Sequence, residues 1–244
     1  MKLDVYQFTN SGGRAYNEDF ADCRVEESRA FFVLADGLGG HYGGDIASHC
    51  IVERLTAAWE NDVNKAPRTE WLAQEISNAN DALIALQKEK KGKMKSTVVT
   101  LCLDAGTISW AHMGDSRLYF LSEGNITRLT ADHSVTYKKY KSGEISRDGM
   151  NFDEDRSRLL RAMGDEMHSI PECGTFGTDH LVMPGDAFLL CSDGFWEYLY
   201  DEEILVDYLK SESASEWGEQ MLLRVMNRMK PDSDNLTFMA VAAW

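Results

Sequence analysis

Residues 30–41 read A-F-F-V-L-A-D-G-L-G-G-H, an apolar run that ends in Asp36 and a glycine-rich turn. A short apolar run rich in branched and aromatic residues and closed by turn residues predicts a buried β-strand. Such a strand would direct the Asp36 carboxylate at a shared ion, and Gly37 would let a backbone carbonyl or the ion approach closely. Taken alone, the segment is most simply a plain turn after a strand.

The same pattern recurs at 187–194, A-F-L-L-C-S-D-G, where an apolar run leads into Asp193. Asp115 lies in a tight turn between two predicted strands, and Asp234 lies at the start of the last one. Each aspartate alone is most simply a turn residue. Four of them at strand ends predict a convergent acidic cluster. Hard oxygen ligands of this kind suit Mg²⁺ or Mn²⁺, and this many acids suits two ions.

The segment 14–19, R-A-Y-N-E-D, adds two acids and a cation. Magnesium keeps several of its waters, so Glu18 and Asp19 are candidates for holding metal-bound waters. Arg14 is either a charge-balancing partner of Glu18 or Asp19 or a fork for a phosphate. The residues by themselves favour the ion pair.

Composition excludes several classes of function. The 244 residues carry 40 Asp and Glu against 25 Lys and Arg, a net charge of −15, which disfavours nucleic-acid binding. The five cysteines form no C-x-x-C pair and predict free thiols in a reducing compartment. Neither a signal peptide nor an apolar run long enough to span a membrane is recognisable. We expect a cytoplasmic protein without membrane contact.

Apolar periodicity predicts strands, two helices, many short strands, two further helices and a last strand. The predicted strands are 2–9, 20–34, 97–104, 107–113, 116–122, 125–129, 172–177, 186–192 and 236–243, and the predicted helices are 43–60, 69–88, 201–210 and 214–229. The lysine-rich tract 88–95 is predicted to be a loop, and 134–160 a polar insertion of partly helical character. This order indicates antiparallel sheets covered by helices within one domain.

These motifs together resemble the metal-dependent protein serine/threonine phosphatases of type 2C, the PPM family, in its bacterial form. The resemblance covers nearly the whole chain in the family's order. It rests on R-A-Y-N-E-D (14–19), A-D-G-L-G-G-H (35–41), K-S-T (95–97), W-A-H-M-G-D-S-R (110–117), L-T-A-D-H-S (129–134), L-L-R-A-M-G (159–164), C-S-D-G-F-W (191–196) and D-N-L-T (234–237). It implies one phosphatase domain over 1–244 with an α+β fold, a four-layer α/β/β/α sandwich of two antiparallel β-sheets flanked by helix pairs.

The resemblance also implies roles for single residues. Asp36 would bridge two Mn²⁺ or Mg²⁺ ions, and Gly37 would offer a backbone carbonyl to one of them. Asp193 and Asp234 would bind the other ion. Asp115 would belong to a third, weaker metal position.

Around these ligands, Glu18 and Asp19 would hold metal-bound waters. Arg14 would bind the substrate phosphate, which replaces the ion-pair interpretation of this residue. The insertion 134–160 would be the mobile flap beside the active site.

The implied reaction is hydrolysis of phosphoserine or phosphothreonine monoesters by a hydroxide that bridges the two ions, with Arg14, Asp36 and Asp193 catalytic. Some relatives carry a histidine directly after the first Asp-Gly, where this chain has Leu38. The proton donor to the leaving group is then a metal-bound water or His41. His112 and His133 are interpreted as structural, and Cys191 as part of a strand core.

Phosphoprotein substrates, a cognate Ser/Thr kinase and a monomeric state are expected. Two alternatives stay open: a catalytically silent phosphoprotein-binding module of the same fold, and a two-metal hydrolase of small phosphoesters. The complete set of acids disfavours the first, and the net charge of −15 weighs against nucleotide or nucleic-acid substrates.

Overall fold

The computed structural model describes residues 2–39, 43–62, 68–104, 106–150, 153–165, 170–176 and 181–243. The strands are β1 Leu3–Asn10, β2 Asp19–Val25, β3 Arg29–Leu38, β4 Lys95–Ser96, β5 Val98–Asp104, β6 Thr107–Met113, β7 Arg117–Ser122, β8 Asn125–Arg128, β9 Glu172–Phe176, β10 Ala187–Cys191 and β11 Leu236–Ala243. The helices are α1 Gly43–Glu60, α2 Arg68–Lys90, α3 Val135–Lys141, α4 Arg147–Met150, α5 Asp193–Trp196, α6 Asp201–Lys210 and α7 Ala214–Arg228.

The strands form two antiparallel sheets. One has the order β1-β11-β10-β7-β8, and the other has the order β2-β3-β5-β6-β9, with the short strand β4 paired to the end of β3. In the first sheet, β1 pairs along its whole length with β11, so segments from the two ends of the chain are neighbours. In the second, the hairpin of β2 and β3 sets Asp19 directly opposite Asp36.

Alternating side chains divide the interior into three apolar layers, because successive residues of a strand point to opposite faces. On β3, Phe32 and Leu34 lie between the two sheets, whereas Phe31 and Val33 pack against α1 and α2. On the other sheet, one face of β10 and β11 contacts residues of α6 and α7, including Trp217, and the other face contacts the first sheet. The result is the predicted four-layer α/β/β/α sandwich.

The predicted elements agree with the structure apart from three details. The single strand expected at 20–34 is a hairpin, because the chain turns at 26–28 and the backbone N–H of Glu26 donates to the Arg29 carbonyl at 2.9 Å. The lysine-rich tract predicted to be a loop continues α2 to Lys90 and supplies β4. Asp193 does not follow a strand into an open turn but begins the one-turn helix α5. The insertion 134–160 contains α3 and α4, as its partly helical character predicted.

None of the helices in the described parts of the chain is both long and apolar enough to cross a membrane.

Candidate metal centre

Asp36 lies near the end of β3, and its backbone is held from both sides by the segment 96–97. Its N–H donates to Thr97 Oγ1 at 3.0 Å, and its carbonyl accepts from Ser96 Oγ at 2.8 Å and from the Thr97 N–H at 2.8 Å. These bonds leave the carboxylate as the part of Asp36 that is available for chemistry. The adjacent residue must be glycine, since a Cβ on Gly37 would lie 2.1 Å from the Gly44 carbonyl oxygen.

Asp193 and Asp234 are brought together by close contact between the two segments that carry them. A Cβ on Gly194 would lie 2.1 Å from the carbonyl oxygen of Asn235, so only glycine permits this approach. A second contact joins the same two segments, because the Ser192 N–H donates a hydrogen bond to the Thr237 carbonyl at 2.9 Å. The two aspartates therefore come from segments of one sheet that meet where β10 ends and β11 begins.

Asp19 and Glu18 join the same cluster from the start of β2. Asp19 Oδ2 accepts from Ser192 Oγ at 2.8 Å, while Asp19 Oδ1 is buried without a hydrogen-bond partner among the described residues. Glu18 Oε1 accepts from the Gly44 N–H at 3.2 Å, and the Glu18 N–H donates to Asn235 Oδ1 at 2.8 Å. A buried carboxylate oxygen without a donor is a strong sign of an additional ligand, because unsatisfied buried acceptors are rare in folded proteins.

Asp115 occupies the turn between β6 and β7, as predicted, and is buried. Its backbone carbonyl accepts a hydrogen bond from the indole of Trp196, which belongs to the same helical turn as Asp193. The structure thus brings all the acids predicted for the site into one neighbourhood.

The electrostatics of the cluster follow from burial and from repulsion among the acids. Burial, followed by the charges of Asp19 and Asp193, raises the pKa of Asp36 well above its usual range. Burial and then the Asp115 charge do the same to the pKa of Asp193. Burial is also the main cause that raises the pKa values of Asp19 and Asp115 to about 7.

Arg14 is the cation that contacts this cluster directly. Its Nη2 donates to Asp234 Oδ2 at 2.8 Å, and both side chains are partly exposed to solvent. The ion pair that the residues favoured therefore exists, but its partner is Asp234 and not Glu18 or Asp19. The remaining N–H groups of the guanidinium have no protein acceptor among the described residues and face an open cleft of about 550 Å³.

The donor set fits hard divalent cations. Carboxylate side chains from several segments meet at one site, burial and mutual repulsion raise the pKa values of Asp36 and Asp193, and one buried carboxylate oxygen has no donor among the described residues. Mg²⁺ and Mn²⁺ prefer such oxygen ligands, and a bound dication removes the repulsion.

His112, His133 and Glu172 form a second group with ligand atoms within 4.8 Å of one another, but their hydrogen bonds do not suit a metal. The Gly114 N–H donates to His133 Nδ1, so the proton of this neutral ring lies on Nε2, where it faces Glu172 Oε2 at 3.3 Å. The protonated Nε2 cannot be a ligand. These contacts agree with the structural role expected of His133.

Comparison with known proteins identifies the chain. The family model for Protein phosphatase 2C matches residues 11–229. The chain belongs to the protein phosphatase 2C family. It is a protein serine/threonine phosphatase, a hydrolase, of a family that depends on Mn²⁺ or Mg²⁺.

Relatives of this phosphatase agree in sequence and in fold. A serine/threonine phosphatase stp of Listeria welshimeri is 31% identical over 238 residues, which cover 93% of this chain and 90% of that protein. The crystal structure of the Mycobacterium tuberculosis serine/threonine phosphatase PstP/Ppp superposes with a TM-score of 0.84 at 26% identity and covers 99% of this chain and 98% of that one. The catalytic domain of a phosphatase PstP in complex with two manganese ions superposes with a TM-score of 0.83 at 24% identity, covering 98% of this chain and 97% of that one.

The small polar residues that hold the acids of this phosphatase in place were not predicted from the sequence. Thr97, Ser192 and Asn235 make these contacts. Asn235 also donates to the carbonyls of Ser11 and Tyr16, at 2.9 and 2.8 Å, and so fixes the segment that carries Arg14 and Glu18. All three lie in the quoted motifs, but small polar residues are equally common in ordinary turns. His41, one of the two predicted proton donors, lies outside the described residues.

Proposed function

We propose that this phosphatase hydrolyses phosphoserine and phosphothreonine monoesters at a binuclear Mn²⁺ or Mg²⁺ centre held by Asp36, Gly37, Asp193 and Asp234. Asp115 belongs to a third, weaker metal position. The observation that carries this proposal is the unpartnered buried Asp19 Oδ1 within a group of mutually repelling carboxylates. Such a group needs a cation, and no described basic side chain other than Arg14 pairs with one of these proposed ligands.

When bound, the ions supply an attacking water of lowered pKa and offset negative charge on the phosphate. The chain's own residues make this arrangement rigid. Ser96 and Thr97 fix the backbone of Asp36, and Ser192 orients Asp19 through a hydrogen bond of 2.8 Å. We assign to Glu18 and Asp19 the task of holding waters beside the ions, because each has one carboxylate oxygen bonded to the protein and each interacts electrostatically with Asp234.

Arg14 is proposed to bind the substrate phosphate. A guanidinium presents five N–H donors in a planar fork that matches two phosphate oxygens, and Arg14 uses only Nη2 for Asp234. Its ion pair with Asp234 is compatible with this role, since the pair fixes the side chain at the mouth of the cleft. Binding two phosphate oxygens positions the phosphorus and stabilises charge in the transition state.

The alternative of a catalytically silent phosphoprotein-binding module is disfavoured by the same cluster. Burying several carboxylates that repel one another costs stability, and a purely binding role gives no reason to keep all of them. A phosphatase needs every one, because each either holds an ion or orients a water.

Four further properties are part of the proposal. The protein acts as one domain over 1–244, which the pairing of β1 with β11 supports. It opposes a Ser/Thr kinase, since a phosphoprotein substrate requires one. It is a cytoplasmic monomer, and the net charge of −15 favours separation of copies.

The proposal is tested by metal-dependent phosphate release from p-nitrophenyl phosphate and from a phosphothreonine peptide. EDTA should abolish turnover of both substrates, and added Mn²⁺ should restore it. The matched control is Asp207→Asn, which alters a buried aspartate away from the cluster and should respond to EDTA and Mn²⁺ like the natural chain. Undiminished turnover after exhaustive chelation would contradict the two-metal mechanism, and release of phosphate from the small ester alone would favour the small-phosphoester hydrolase.

A further inference from the structure

Trp196 joins the two turns that carry Asp115 and Asp193. It is the last residue of α5, whose first residue is Asp193, and its indole Nε1–H donates to the backbone carbonyl of Asp115 at 2.9 Å. Asp115 lies on the turn between β6 and β7, which is distant in sequence. The hydrogen bond therefore fixes the backbone of one proposed metal ligand to the helical turn of another.

The Trp196 indole also packs against a cation on one face of its ring. The guanidinium carbon of Arg117 lies 3.3 Å from the centroid of the Trp196 ring, a cation–π contact. Arg117 is anchored to Asp132 by two hydrogen bonds, from Nε at 3.0 Å and from Nη2 at 2.6 Å, and to the Tyr119 hydroxyl at 3.1 Å. The side chains of Arg117 and Asp132 are 3% and 1% exposed, so the guanidinium that packs on the indole is itself held by buried groups.

A hydrogen bond that fixes these two turns to each other favours metal binding. Asp115 and Asp193 are both proposed ligands, and a carboxylate can bind an ion only where its own segment is held in place, which is the task of outer hydrogen-bond partners. Arg117, whose buried guanidinium is paired with Asp132, makes no salt bridge to either aspartate. Without the hydrogen bond from Trp196, the two turns would be free to move independently, and a cation would have to bring them together before it could bind.

We propose that Trp196 is a positioning residue that fixes the turn carrying Asp115 to the helical turn carrying Asp193. It thereby sets the affinity of the weakest metal position. This inference rests on the proposed function, because it assumes that both aspartates bind metal. The mutation of outer partners that orient metal ligands typically lowers metal affinity by roughly 10- to 100-fold. Loss of the indole donor should have an effect at the lower end of this range.

Trp217 provides a matched control. Its Nε1–H donates to the Ile204 carbonyl at 3.1 Å in the apolar layer beneath α6 and α7, so the bond is of the same type as that of Trp196. Trp217→Phe therefore removes an indole–carbonyl hydrogen bond without touching the acidic cluster. If Trp196 only satisfies its own donor, the two variants should behave alike.

The experiment is a calorimetric Mn²⁺ titration of the metal-free natural chain, Trp196→Phe, Trp217→Phe, Asp115→Asn and the double variant of Trp196 and Asp115. The phenyl ring keeps an aromatic face over Arg117 and removes the donor together with one ring of the indole, a loss of volume that Trp217→Phe shares. We expect Trp196→Phe to weaken the weakest Mn²⁺ step by about 10-fold, with the tighter steps unchanged. Asp115→Asn should abolish that step, and adding Trp196→Phe to it should change nothing further. Trp196→Tyr replaces Trp196→Phe if the latter does not fold.

Three results with the tryptophan variants would each overturn the inference: an unchanged weakest step in Trp196→Phe, an equal loss in Trp217→Phe, or a further loss when Trp196→Phe is added to Asp115→Asn. An Asp115→Asn protein that binds Mn²⁺ like the natural chain would overturn it as well. Failure of the proposed function gives a different result, because the natural chain would then release no phosphate or would release it without added metal. Metal-dependent activity combined with an unchanged Trp196→Phe titration rejects the role of Trp196 alone.

Discussion

Between helices α6 and α7, Glu203 and Asp207 face two arginines, whereas the acids around Asp36 face one another. Arg228 binds Glu203 with two hydrogen bonds of 2.6 Å, and Arg224 binds Asp207 with bonds of 2.6 and 2.8 Å. The hydrogen bonds from Arg228 lower the pKa of Glu203 to about 2. In the cluster, burial and like charges raise the pKa of Asp36 well above its usual range.

The difference shows what residue type alone cannot decide. A carboxylate beside an arginine stabilises the fold at neutral pH, because its charged form is favoured in the native state. A carboxylate buried among others destabilises the fold until a cation binds. The charges of Glu203 and Asp207 are therefore balanced by protein groups alone, whereas those of the acids around Asp36 are balanced only when a metal ion binds.

The largest expected effect comes from Asp193→Asn, which removes a proposed ligand and keeps the side-chain shape. We expect kcat/KM to fall by at least roughly 10³-fold, beyond the 10- to 100-fold typical of an outer partner. The metal-free variant should melt at the same temperature as the natural chain or higher, since one repelling charge is gone. Steady-state kinetics in Mn²⁺ and calorimetry in EDTA measure the two effects. A large loss of stability without metal would make Asp193 a structural residue.

Arg14→Ala should lower kcat/KM by about 2–4 kcal/mol in free-energy terms, mainly through KM, because a charge-assisted contact with the phosphate is lost. The kinetics are measured at saturating Mn²⁺, so that any change in metal affinity is compensated. Arg24→Ala is the control: Arg24 is a partly exposed arginine on β2 that pairs with Asp22 and Glu60. Full rescue of Arg14→Ala by excess Mn²⁺ would leave only the ion pair with Asp234 as its role.

Asp207→Asn should affect stability and leave activity unchanged. It removes the charge that pairs with Arg224, whose side chain is 31% exposed and can partly return to water. We therefore expect a loss of about 2 kcal/mol, less than the 3–5 kcal/mol of a fully buried pair. Urea unfolding measures the loss, and kcat should equal that of the natural chain. A gain in stability would abolish the contrast between the two groups of acids.

The smallest effect concerns the pH dependence of the metal-free protein. The pKa of Asp19 is raised from an ordinary value near 4 to about 7, so the folded state binds a proton that the unfolded state has lost. Stability from this group is therefore present below pH 4 and is lost as the pH rises through 7. Between pH 6 and 7 the free energy of unfolding should fall by about 1 kcal/mol from this group.

Burial lowers the pKa values of His112 and His133, which makes stability rise with pH in the same range. The measurement is therefore the difference between the natural chain and Asp19→Asn, since the histidine contributions cancel. Thermal melts in EDTA at pH 5.5, 6.5, 7.5 and 8.5 give this difference. Parallel stability curves for the two proteins would show that Asp19 is already ionised in the metal-free fold.

Apolar periodicity predicted most of the helices and strands, because the faces that a helix or strand buries determine the spacing of its apolar residues. The bounds of α1 and α7 were predicted closely for this reason. The turn at 26–28 was missed, since its residues are polar but carry neither glycine nor proline. The extension of α2 through Lys90 was missed because exposed lysines suit a helix end as well as a loop.

The acids of the site could be predicted because an aspartate after a buried strand has few ordinary reasons to be there. Their partners could not be predicted, since they depend on which loops meet in space. Arg14 pairs with Asp234, 220 residues away, and not with the neighbouring acids that sequence proximity suggested. The contact of Trp196 with the Asp115 carbonyl depends in the same way on the packing of α5 against the turn between β6 and β7.

The most direct test of the account is a calorimetric Mn²⁺ titration of Asp36→Asn beside the natural chain, with melting temperatures of both metal-free proteins. Asp36 lies at the centre of the cluster, and the charges of Asp19, Asp193, Asp115 and Asp234 all act on it. The variant should lose the tight Mn²⁺ binding, and its metal-free form should be at least as stable as the natural chain. Unchanged Mn²⁺ binding, or a metal-free variant that is much less stable, would contradict the account.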